Sequence, residues 1–374
     1  MPISGRQSNI SHGRRKKVIE LQEQLSWKTK IREYAESLGF VKIRFTEARS
    51  LTDLADYLEK CEGAGYSTPF VETSIALRTN PKAVWQQCQT VGVLAYSLPL
   101  TSKPKKGEGV IARSAVGEDY HRVVQSRMEE LAQKIVKGGW SSEPPRFQVD
   151  TGSLNERGFA IRSGLGWAGR NQQLIIPGVG SFAALALILF DQELPTDKPL
   201  VNRCGTCQKC IQACPAQLLG EKPFAADQCL SYLTQSKESL TEKQGKSIGH
   251  RLFGCDSCQE ACPHNQMHLR QEEELEAKSD ERSVYQDRNG LESGRICRGV
   301  DLMEMLTLTK PRFNERFRNT AAGWRGKGIL QRNAYQVMEN LQDERRISWL
   351  KENKDNETLP LVLRKELMKF YEDR

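Results

Sequence analysis

The sequence has no long hydrophobic run. Its longest uncharged apolar stretch, Phe182 to Phe190, has nine of the 374 residues, whereas a membrane-spanning helix needs about 20. This excludes an integral membrane protein, and the stretch instead fits a buried strand in a sheet that is covered on both faces. The basic N-terminal segment is not followed by the apolar segment of a secretory signal, so we expect a cytoplasmic protein.

Motifs that bind nucleotides are also absent. No G-x-G-x-x-G follows a predicted strand and there is no Walker loop, so neither NAD nor ATP is the obvious ligand. The charge balance is only mildly basic, with 55 Lys and Arg against 47 Asp and Glu. This net charge permits a polyanionic partner without requiring one.

The order of predicted elements indicates an α+β protein with three units. Residues 1–26 are polar and basic and are expected to form a tail outside the fold. Alternating helices and apolar strands over 27–200 indicate an α/β or an α+β domain, and we expect the α/β form. Residues 201–284 lack such periodicity, and we expect bound metal to organise them. Helical spacing of apolar residues returns over 285–374 and predicts an α-helical region.

Cysteine, in contrast, is concentrated in one segment. Eight of the eleven cysteines lie between Cys204 and Cys262, and in a reducing compartment such a cluster indicates metal binding or redox chemistry rather than disulfide bonds. The first four spell C-x2-C-x2-C-x3-C-P, the spacing of bacterial ferredoxins. The last three spell C-x2-C-x3-C-P, the same motif without its first cysteine, and Cys229 is available to replace it.

Eight thiolates are enough to hold two [4Fe–4S] clusters. In two-cluster ferredoxins the last cysteine of each motif ligates the other cluster. The same exchange here predicts two ligand sets: Cys204, Cys207, Cys210 and Cys262 for cluster I, and Cys214, Cys229, Cys255 and Cys258 for cluster II. Two structural zinc sites are the alternative, but a third cysteine at the same spacing and two Cys-Pro endings favour iron–sulfur clusters. Cys61, Cys88 and Cys297 have no partner spacing and are expected to be buried small hydrophobes.

Two segments outside the cysteine region carry candidate catalytic residues. Residues 149–170 contain Asp150, Arg157 and a run of glycines that permits close backbone approach to a flat ligand. The alternative is structural, with an aspartate that caps a turn and a glycine-rich loop that packs on the cluster region. An upstream segment contains Tyr120 and His121, and such a pair is equally compatible with a structural role.

These segments together resemble one family. Similarity to the epoxyqueuosine reductases is carried by the runs VDTGSLNERGFAIRSGLGWAGRN, GEDYH, CGTCQKCIQACP, CLSYLTQ and RLFGCDSCQEACPHN. That family comprises cobalamin-dependent iron–sulfur enzymes that complete queuosine at the wobble position of tRNA. The likeness extends from about Trp27 to the C-terminus, and the N-terminal tail has no counterpart in it.

The resemblance implies an oxidoreductase that removes the epoxide oxygen of epoxyqueuosine as water, with two electrons and two protons. It implies two [4Fe–4S] clusters and cob(II)alamin as cofactors. A tRNA with a queuosine-type anticodon and an external low-potential electron donor are the implied partners. Asp150 matches the family's proton donor, which would have to be protonated near neutral pH through an upward-shifted pKa. Tyr120, His121 and Arg157 match residues that line the substrate side.

The resemblance also implies a set of contacts to the corrinoid and a fold around it. We expect an α/β corrinoid-binding domain, a ferredoxin-like domain with both clusters, and a HEAT-like helical domain. The expected corrinoid contacts are Arg113, Asp150, Leu174, Ser231, Cys255, Asp256 and Ser257.

The helical region contains a basic segment. Residues 310–332 have seven basic side chains against one acidic side chain, with Phe313, Phe317 and Trp324 between them. Such a composition is typical of a phosphate-contacting surface with base stacking, or else of a solvated helical face above core aromatics. The family resemblance favours tRNA, and the expected contacts are Arg316, Arg318, Arg325 and Lys237.

Two other functions stay open from the sequence. A reductive dehalogenase-like corrinoid enzyme that acts on a small molecule would share the corrinoid and both clusters, but it would not need a basic helical extension. A non-catalytic iron–sulfur electron-transfer subunit would use the α/β domain only to dock a partner. We expect a monomer with no membrane partner.

Overall fold

The computed structural model describes residues 7–220, 223–278, 298–354 and 356–372. Up to residue 200 the elements are, in chain order, α1 (Gln7–Ser37), β1 (Lys42–Glu47), α2 (Thr52–Gly63), α3 (Ile75–Thr79), α4 (Pro81–Val84), β2 (Thr90–Ser97), β3 (Gly109–Ile111), α5 (Tyr120–Lys137), β4 (Arg146–Val149), α6 (Glu156–Arg162), β5 (Trp167–Ala168), β6 (Leu174–Ile175) and β7 (Ala183–Phe190). The later elements are α7 (Lys209–Ala213), α8 (Leu230–Leu233), α9 (Glu242–Ile248), β8 (Arg251–Phe253), α10 (Ser257–Glu260), α11 (Gln266–Lys278), β9 (Gly299–Val300), α12 (Leu302–Thr307), α13 (Lys310–Phe317), α14 (Lys327–Asn340), α15 (Arg345–Asn353) and α16 (Leu361–Glu372). Among the described helices, none is long and apolar enough to cross a membrane.

A four-stranded sheet lies at the centre of the N-terminal half. Its strand order is β1–β2–β7–β4, so the two apolar strands that the sequence predicts, β2 and β7, are neighbours. Both are almost fully buried because helices cover both faces. Leu94 packs with α1 and α5 on one face, and Val93 packs with α6 on the other. The predicted burial of these strands on both faces is therefore confirmed.

All pairings in this sheet are antiparallel, and this corrects the predicted α/β domain. β2 pairs with both β1 and β7, and β4 pairs with β7, in every case antiparallel. An α/β domain requires parallel strands joined by crossover helices. The chain between β2 and β7 instead leaves the sheet and contributes β3 to a second sheet before it returns. This half is consequently α+β.

The first helix is longer than the sequence predicts. Residues 7–26, expected as part of a tail, belong to α1, whereas residues 1–6 lie outside the described chain. The second half of α1 is anchored, because Ile31 is fully buried against the sheet and Lys28 Nζ lies 2.9 Å from Asp197 Oδ1. A helix nucleated by such packing extends readily through good helix formers. The prediction of a tail is therefore wrong for residues 7–26.

The three predicted units are joined by a shared sheet. β3 from the first unit pairs in parallel with β8 from the second and antiparallel with β9 from the third. Ile111, Leu252 and Leu302 belong to a single cluster of buried side chains, whereas the buried residues of two further clusters all lie in the first unit. The boundaries at 200/201 and 284/285 stay predictions, and residue 284 itself lies outside the described residues.

The C-terminal region is helical, as predicted, and α14 lies at its centre in contact with α12, α15 and α16. Two buried polar residues of α14 bind the loop that follows α8. Arg332 is fully buried and donates to three backbone carbonyl groups within residues 233–238. Asn333 donates to the carbonyl oxygens of Thr234 and Leu252 at 2.7 Å each. α14 therefore fixes the loop after α8, which lies between Cys229 and Cys255.

Candidate active site

Asp150 lies immediately after β4, in a tight turn. The amide of Thr151 donates to the carbonyl oxygen of Val149 at 2.5 Å, which closes a three-residue turn around Asp150. The φ angle of Asp150 is 55°, a conformation that costs energy for most residues but that aspartate tolerates. The turn leaves the Asp150 side chain 59% exposed, so its carboxylate is accessible to a ligand.

The N-terminus of α5 brings two more side chains to this carboxylate. Asp119 caps the helix by accepting a hydrogen bond from the amide of His121 at 3.1 Å, which places the next two residues on the first turn. The hydroxyl of Tyr120 donates to Asp150 Oδ2 at 2.9 Å. Nε2 of His121 lies 3.0 Å from the same oxygen, and Nδ1 lies 2.7 Å from Asp119 Oδ1. The structure thus brings together Asp150, Tyr120 and His121.

The proton in this cluster resides on the imidazole. Burial by itself would lower the pKa of His121, but its hydrogen bonds to Asp119 and Asp150 raise it to about 9. The hydrogen bond from His121 holds the pKa of Asp150 below its usual value, and Tyr120 and Arg157 add to this effect. The pKa of Asp150 is therefore lowered in this structure, while the upward shift expected on burial against the corrinoid stays a prediction. At neutral pH the pair is an imidazolium facing a carboxylate.

Two residues that the sequence analysis missed support the turn. The side chain of Gln148 donates to the carbonyl oxygen of Leu154 at 2.8 Å and accepts from the amide of Leu154 at 3.1 Å. Its Nε2 also donates to Glu156 Oε1 at 2.5 Å, and burial raises the pKa of Glu156 to about 7. Gln148 therefore fixes the chain that follows Asp150, at Leu154 and Glu156. The sequence feature that could have indicated this role is the polar residue Gln148 within the short strand β4.

Arg157 and the glycine run lie next to the turn. Arg157 is exposed and donates to the carbonyl oxygen of Gln172 at 2.7 Å, which connects the turn to the β5–β6 hairpin. Glycine is needed in the run for packing, since a Cβ on Gly164 would lie 1.9 Å from the carbonyl oxygen of Lys198. The packing therefore supports the structural interpretation, in which the glycine-rich loop packs against the rest of the protein.

The eight cysteines fall into the two predicted sets. The thiols of Cys204, Cys207, Cys210 and Cys262 line one cavity of about 210 Å³. Burial, followed by the neighbouring thiols of Cys255, Cys229 and Cys214, raises the pKa of Cys258, so the second set is also assembled. Thiols in this environment ionise only with a positive charge beside them, which bound iron supplies. Within the described ranges, no three His, Cys, Asp or Glu converge as ligands of a single metal ion.

Of the remaining cysteines, Cys61 and Cys88 take no part in these sets. Cys88 is fully buried, as expected for a small hydrophobe, and Cys61 is half-buried. Cys297 lies outside the described residues.

The side chains expected to contact the corrinoid divide into two groups. Arg113, Asp256 and Leu174 are buried, with exposures of 2%, 7% and 5%. Ser231, Cys255 and Ser257 are half-buried. The buried group packs within the fold, although Asp256 also lines a cavity with Cys255 and Ser257, and the second group presents more of its side chains to a ligand.

Arg113 is the centre of a buried ion network. Its Nη2 and Nε bind both carboxylate oxygens of Glu272, at 2.7 and 2.9 Å. Its Nη1 lies 2.8 Å from Glu260 Oε1 and 3.3 Å from Asp256 Oδ2. The guanidinium also lies over the ring of Phe182 at 4.6 Å. The network joins α10 and α11 of the cysteine region to the N-terminal half.

Only part of the basic segment, residues 310–332, lies at the protein surface. Arg332, counted among its seven cations, is fully buried, and so is Phe317, while Phe313 is 5% exposed. Arg318 is exposed, Arg316 is paired with Glu304, and Trp324 is 54% exposed. The remaining expected contacts, Lys237 and Arg325, are exposed and half-buried, respectively. Sequence composition overstated the surface charge because it does not show which face of α14 is buried.

Comparison with known proteins supports one family over nearly the whole chain. Residues 78–151 match the family model "Epoxyqueuosine reductase QueG, DUF1730", and residues 203–265 match the "4Fe-4S double cluster binding domain". The epoxyqueuosine reductase of Staphylococcus aureus is 32% identical over 346 residues, which cover 90% of this chain and 86% of that protein. The epoxyqueuosine reductase of Bacillus subtilis is 30% identical, with coverages of 92% and 86%.

Solved structures of the same family share the fold. A selenomethionine-labelled epoxyqueuosine reductase superposes with a TM-score of 0.81 at 29% identity, covering 92% of this chain and 89% of that one. An epoxyqueuosine reductase with an epoxyqueuosine-modified tRNA-Tyr stem loop gives a TM-score of 0.79 at 29% identity, with coverages of 91% and 88%. From these similarities and from the two thiol sets, the chain belongs to the epoxyqueuosine reductase family and is an oxidoreductase with a double [4Fe–4S] cluster domain.

Proposed function

We propose that this chain reduces epoxyqueuosine to queuosine at the wobble position of tRNA. The observation that carries the proposal is the exposed Asp150 carboxylate, which accepts hydrogen bonds from Tyr120 and His121 in a chain that also assembles two sets of four thiols. A related structure holds an epoxyqueuosine-modified tRNA stem loop, which supports the same substrate here. The reaction converts the epoxide into an alkene and water, and it consumes two electrons and two protons.

The electrons come from an external low-potential donor through the two clusters. The β5–β6 hairpin connects the clusters to the catalytic turn. Asn171 Nδ2 lies 3.5 Å from the carbonyl oxygen of Cys258, a ligand of cluster II, while Arg157 binds the carbonyl oxygen of the next residue, Gln172. The same hairpin also lines the cavity of the first cysteine set through Asn171 and Ile175, so it contacts both sets.

The family resemblance implies cobalamin as a further cofactor. The half-buried side chains of Ser231, Cys255 and Ser257 are available to contact it. When bound, it supplies a strongly reducing cobalt centre for the epoxide carbon. Ser231 and Ser257 offer hydroxyl groups for the amide side chains of a corrinoid, and Asp150 faces solvent where a ligand can approach it. Gly254 has a φ of 70°, and a Cβ there would lie 2.5 Å from Cβ of Ala112, so the loop before Ser257 is held close to β3.

The proton donor is the His121–Asp150 pair. As negative charge develops on the departing oxygen, the proton on His121 Nε2 moves across the 3.0 Å contact to Asp150, and Asp150 delivers it. Tyr120 keeps its own proton, because burial and the charge of Asp150 raise its pKa well above the usual value. It therefore orients the carboxylate rather than supplying the proton.

The tRNA lies across the basic segment, with Arg318 and Lys237 at its phosphates. A HEAT-like arrangement of the C-terminal helices and a corrinoid between the antiparallel sheet and the cysteine region complete the proposed layout. We further propose that the protein acts as a cytoplasmic monomer.

Anaerobic reconstitution tests the function directly. Protein loaded with iron, sulfide and cobalamin and reduced with dithionite should convert epoxyqueuosine in an anticodon stem-loop RNA into queuosine, measured by mass spectrometry of the nucleosides. Failure of the fully loaded protein to form queuosine would overturn the proposal. Turnover of a halogenated phenol alone would favour a small-molecule corrinoid enzyme, and a complete lack of cobalamin affinity would favour an electron-transfer subunit.

A further inference from the structure

An aromatic cluster lies at the surface, outside the catalytic turn. We define the aromatic platform as Phe70, Tyr232, Trp324 and Arg325. The ring centroid of Phe70 lies 5.1 Å from that of Tyr232 and 5.2 Å from that of Trp324. Trp324 is 54% exposed and Phe70 is 37% exposed. Folding favours burial of such large apolar rings, so an exposed group of them indicates a binding surface.

Polar contacts fix the platform in place. Trp324 Nε1 donates to Gln235 Oε1 at 3.0 Å, and Arg325 Nε donates to the carbonyl oxygen of Gln235 at 2.7 Å. The Arg325 guanidinium lies 4.6 Å from the Trp324 ring centroid and 5.0 Å from that of Phe70. Gln235 itself lies in the loop that Arg332 holds. The rings and the guanidinium are therefore oriented before a ligand arrives, which lowers the entropy lost on binding.

The platform is connected to the catalytic side chains through one residue. The amide of Asp119 donates to the carbonyl oxygen of Asn319 at 2.8 Å, and Arg122 Nη1 donates to Asn319 Oδ1 at 3.2 Å. Asp119 is the partner of His121, which contacts Asp150. Trp324 lies five positions after Asn319, so their Cα atoms lie no more than about 18 Å apart.

We propose that the aromatic platform stacks an unpaired base of the anticodon loop, next to the nucleotide that reacts at Asp150. This inference rests on the proposed function and extends it to a binding subsite. A nucleotide that enters an active site leaves its stack, and the neighbouring base then loses a stacking partner. Aromatic rings combined with an arginine replace that partner for any base. The exposed cations Arg318 and Lys237 suit a polyanionic ligand better than an apolar peptide.

Binding to two RNAs tests the platform. The first probe is a fluorescein-labelled tRNA-Tyr anticodon stem loop, and the second is the same RNA with abasic nucleotides on both sides of the wobble position. Trp324→Ala should weaken binding of the intact RNA by about 5- to 150-fold, the range for loss of one base–aromatic stack. Trp324→Phe should recover most of the affinity. On the abasic RNA, wild type and Trp324→Ala should bind equally, as a double-mutant cycle requires.

The controls separate stacking from other roles. Leu361→Ala removes another exposed apolar side chain, 61% exposed in α16, and should leave RNA affinity unchanged. Because no phosphate contact is lost, the slope of log K against log[salt] should be the same for Trp324→Ala and wild type.

Three results would overturn the platform alone: unchanged affinity of Trp324→Ala for the intact RNA, an equal loss on the intact and abasic RNAs, or a loss of cobalamin affinity without a loss of RNA affinity. Failure of the wild-type protein to bind either RNA would overturn the proposed function together with the platform.

Discussion

Nε2 of His121 lies 3.0 Å from Oδ2 of Asp150, and Nδ1 of the same ring lies 2.7 Å from Oδ1 of Asp119. The imidazole is therefore held between two carboxylates, only one of which is exposed to a ligand. Two carboxylates around one imidazole favour its charged form. The arrangement stores a proton at neutral pH one hydrogen bond away from the carboxylate that faces the substrate.

The first prediction concerns pH. Because the proposed acid is the protonated His121–Asp150 pair, the single-turnover rate should fall as pH rises through about 9, the pKa of His121. The raised pKa also contributes to stability. That contribution is present in full below the ordinary value of 6.5 and is lost as pH rises through about 9. His121→Gln should react more slowly and lack the alkaline fall near pH 9. An identical pH profile in this variant would remove His121 from proton transfer.

The second prediction concerns Asp150 itself. Asp150→Asn keeps the shape of the side chain and tolerates the positive φ, but it cannot pass on a proton. We expect turnover to fall by roughly 100-fold or more, with iron content and cobalamin affinity unchanged. Asp53→Asn, at an exposed carboxylate of α2, is the matched control and should retain full activity. Turnover of Asp150→Asn within about twofold of wild type would dismiss Asp150 as the proton donor.

The third prediction tests the cluster ligands. Cys229 lies outside both cysteine motifs, yet it lies beside Cys255 and Cys214. Wild type should hold about eight iron atoms per chain, and Cys229→Ala should hold about four, because only cluster II loses a ligand. Cys61→Ala, at a half-buried cysteine outside both sets, should keep the wild-type iron content. Iron that stays near the wild-type value in Cys229→Ala would exclude Cys229 as a ligand.

The fourth prediction ranks two arginines of the basic segment. Arg318 is exposed, whereas Arg316 is paired with Glu304 and has less charge to offer a phosphate. Arg318→Gln should weaken binding of full-length tRNA and lower the slope of log K against log[salt] by roughly 0.7–0.9, as expected for one lost phosphate contact. Arg316→Gln should have a smaller effect. Arg345→Gln in α15, at an arginine that is 51% exposed, should have none.

Equal slopes for Arg318→Gln and wild type would show that this arginine only solvates a helix. The tRNA path would then be sought around Lys237 and Arg122. If Arg318 does contact a phosphate, Arg318→Gln should lose less activity on a short anticodon stem loop than on full-length tRNA, because the shorter RNA covers less of the basic segment.

The features that could be predicted from the sequence are those fixed by local spacing. Cysteines two or three residues apart are what a cube requires, so the motif spacing predicted the double [4Fe–4S] cluster domain. Cys229 lies outside both motifs, and its place in the second set stays a prediction. The apolar run of β7 likewise specified a strand buried on both faces. The juxtaposition of Tyr120 with Asp150 could not be read from spacing, since 30 residues separate them.

Other features depend on distances that no pattern contains. The pKa of Asp150 is lowered because His121 lies within hydrogen-bond distance, and no sequence pattern places these two side chains together. Arg332 looked like a surface cation, but it lies on the face of α14 that packs against residues 233–238. Likewise, no sequence pattern shows that β3, β8 and β9, from distant parts of the chain, form one sheet.

The last prediction concerns Arg113. Its removal in Arg113→Met would leave Glu272 and Asp256 buried, at exposures of 2% and 7%, with fewer cations around them. Breaking a buried ion network by removing one partner costs about 3–5 kcal/mol, which urea unfolding would measure. Lys103→Met breaks the exposed pair with Glu273 and should cost no more than about 1 kcal/mol.

The pH dependence of the same variant checks the cause. Burial would raise the pKa of Glu272, but the nearby His268, with Nε2 3.6 Å from Oε1, and the hydrogen bonds from Arg113 hold the pKa well below the ordinary value of 4.5. This stabilisation is present above about pH 4.5 and is lost as pH falls through the lower pKa of the folded state. In Arg113→Met the acid unfolding midpoint should therefore move to higher pH. If Arg113→Met had the same urea and acid unfolding midpoints as wild type, the ion network of Arg113 would not stabilise the fold. The prediction that Arg113 contacts the corrinoid would then be favoured.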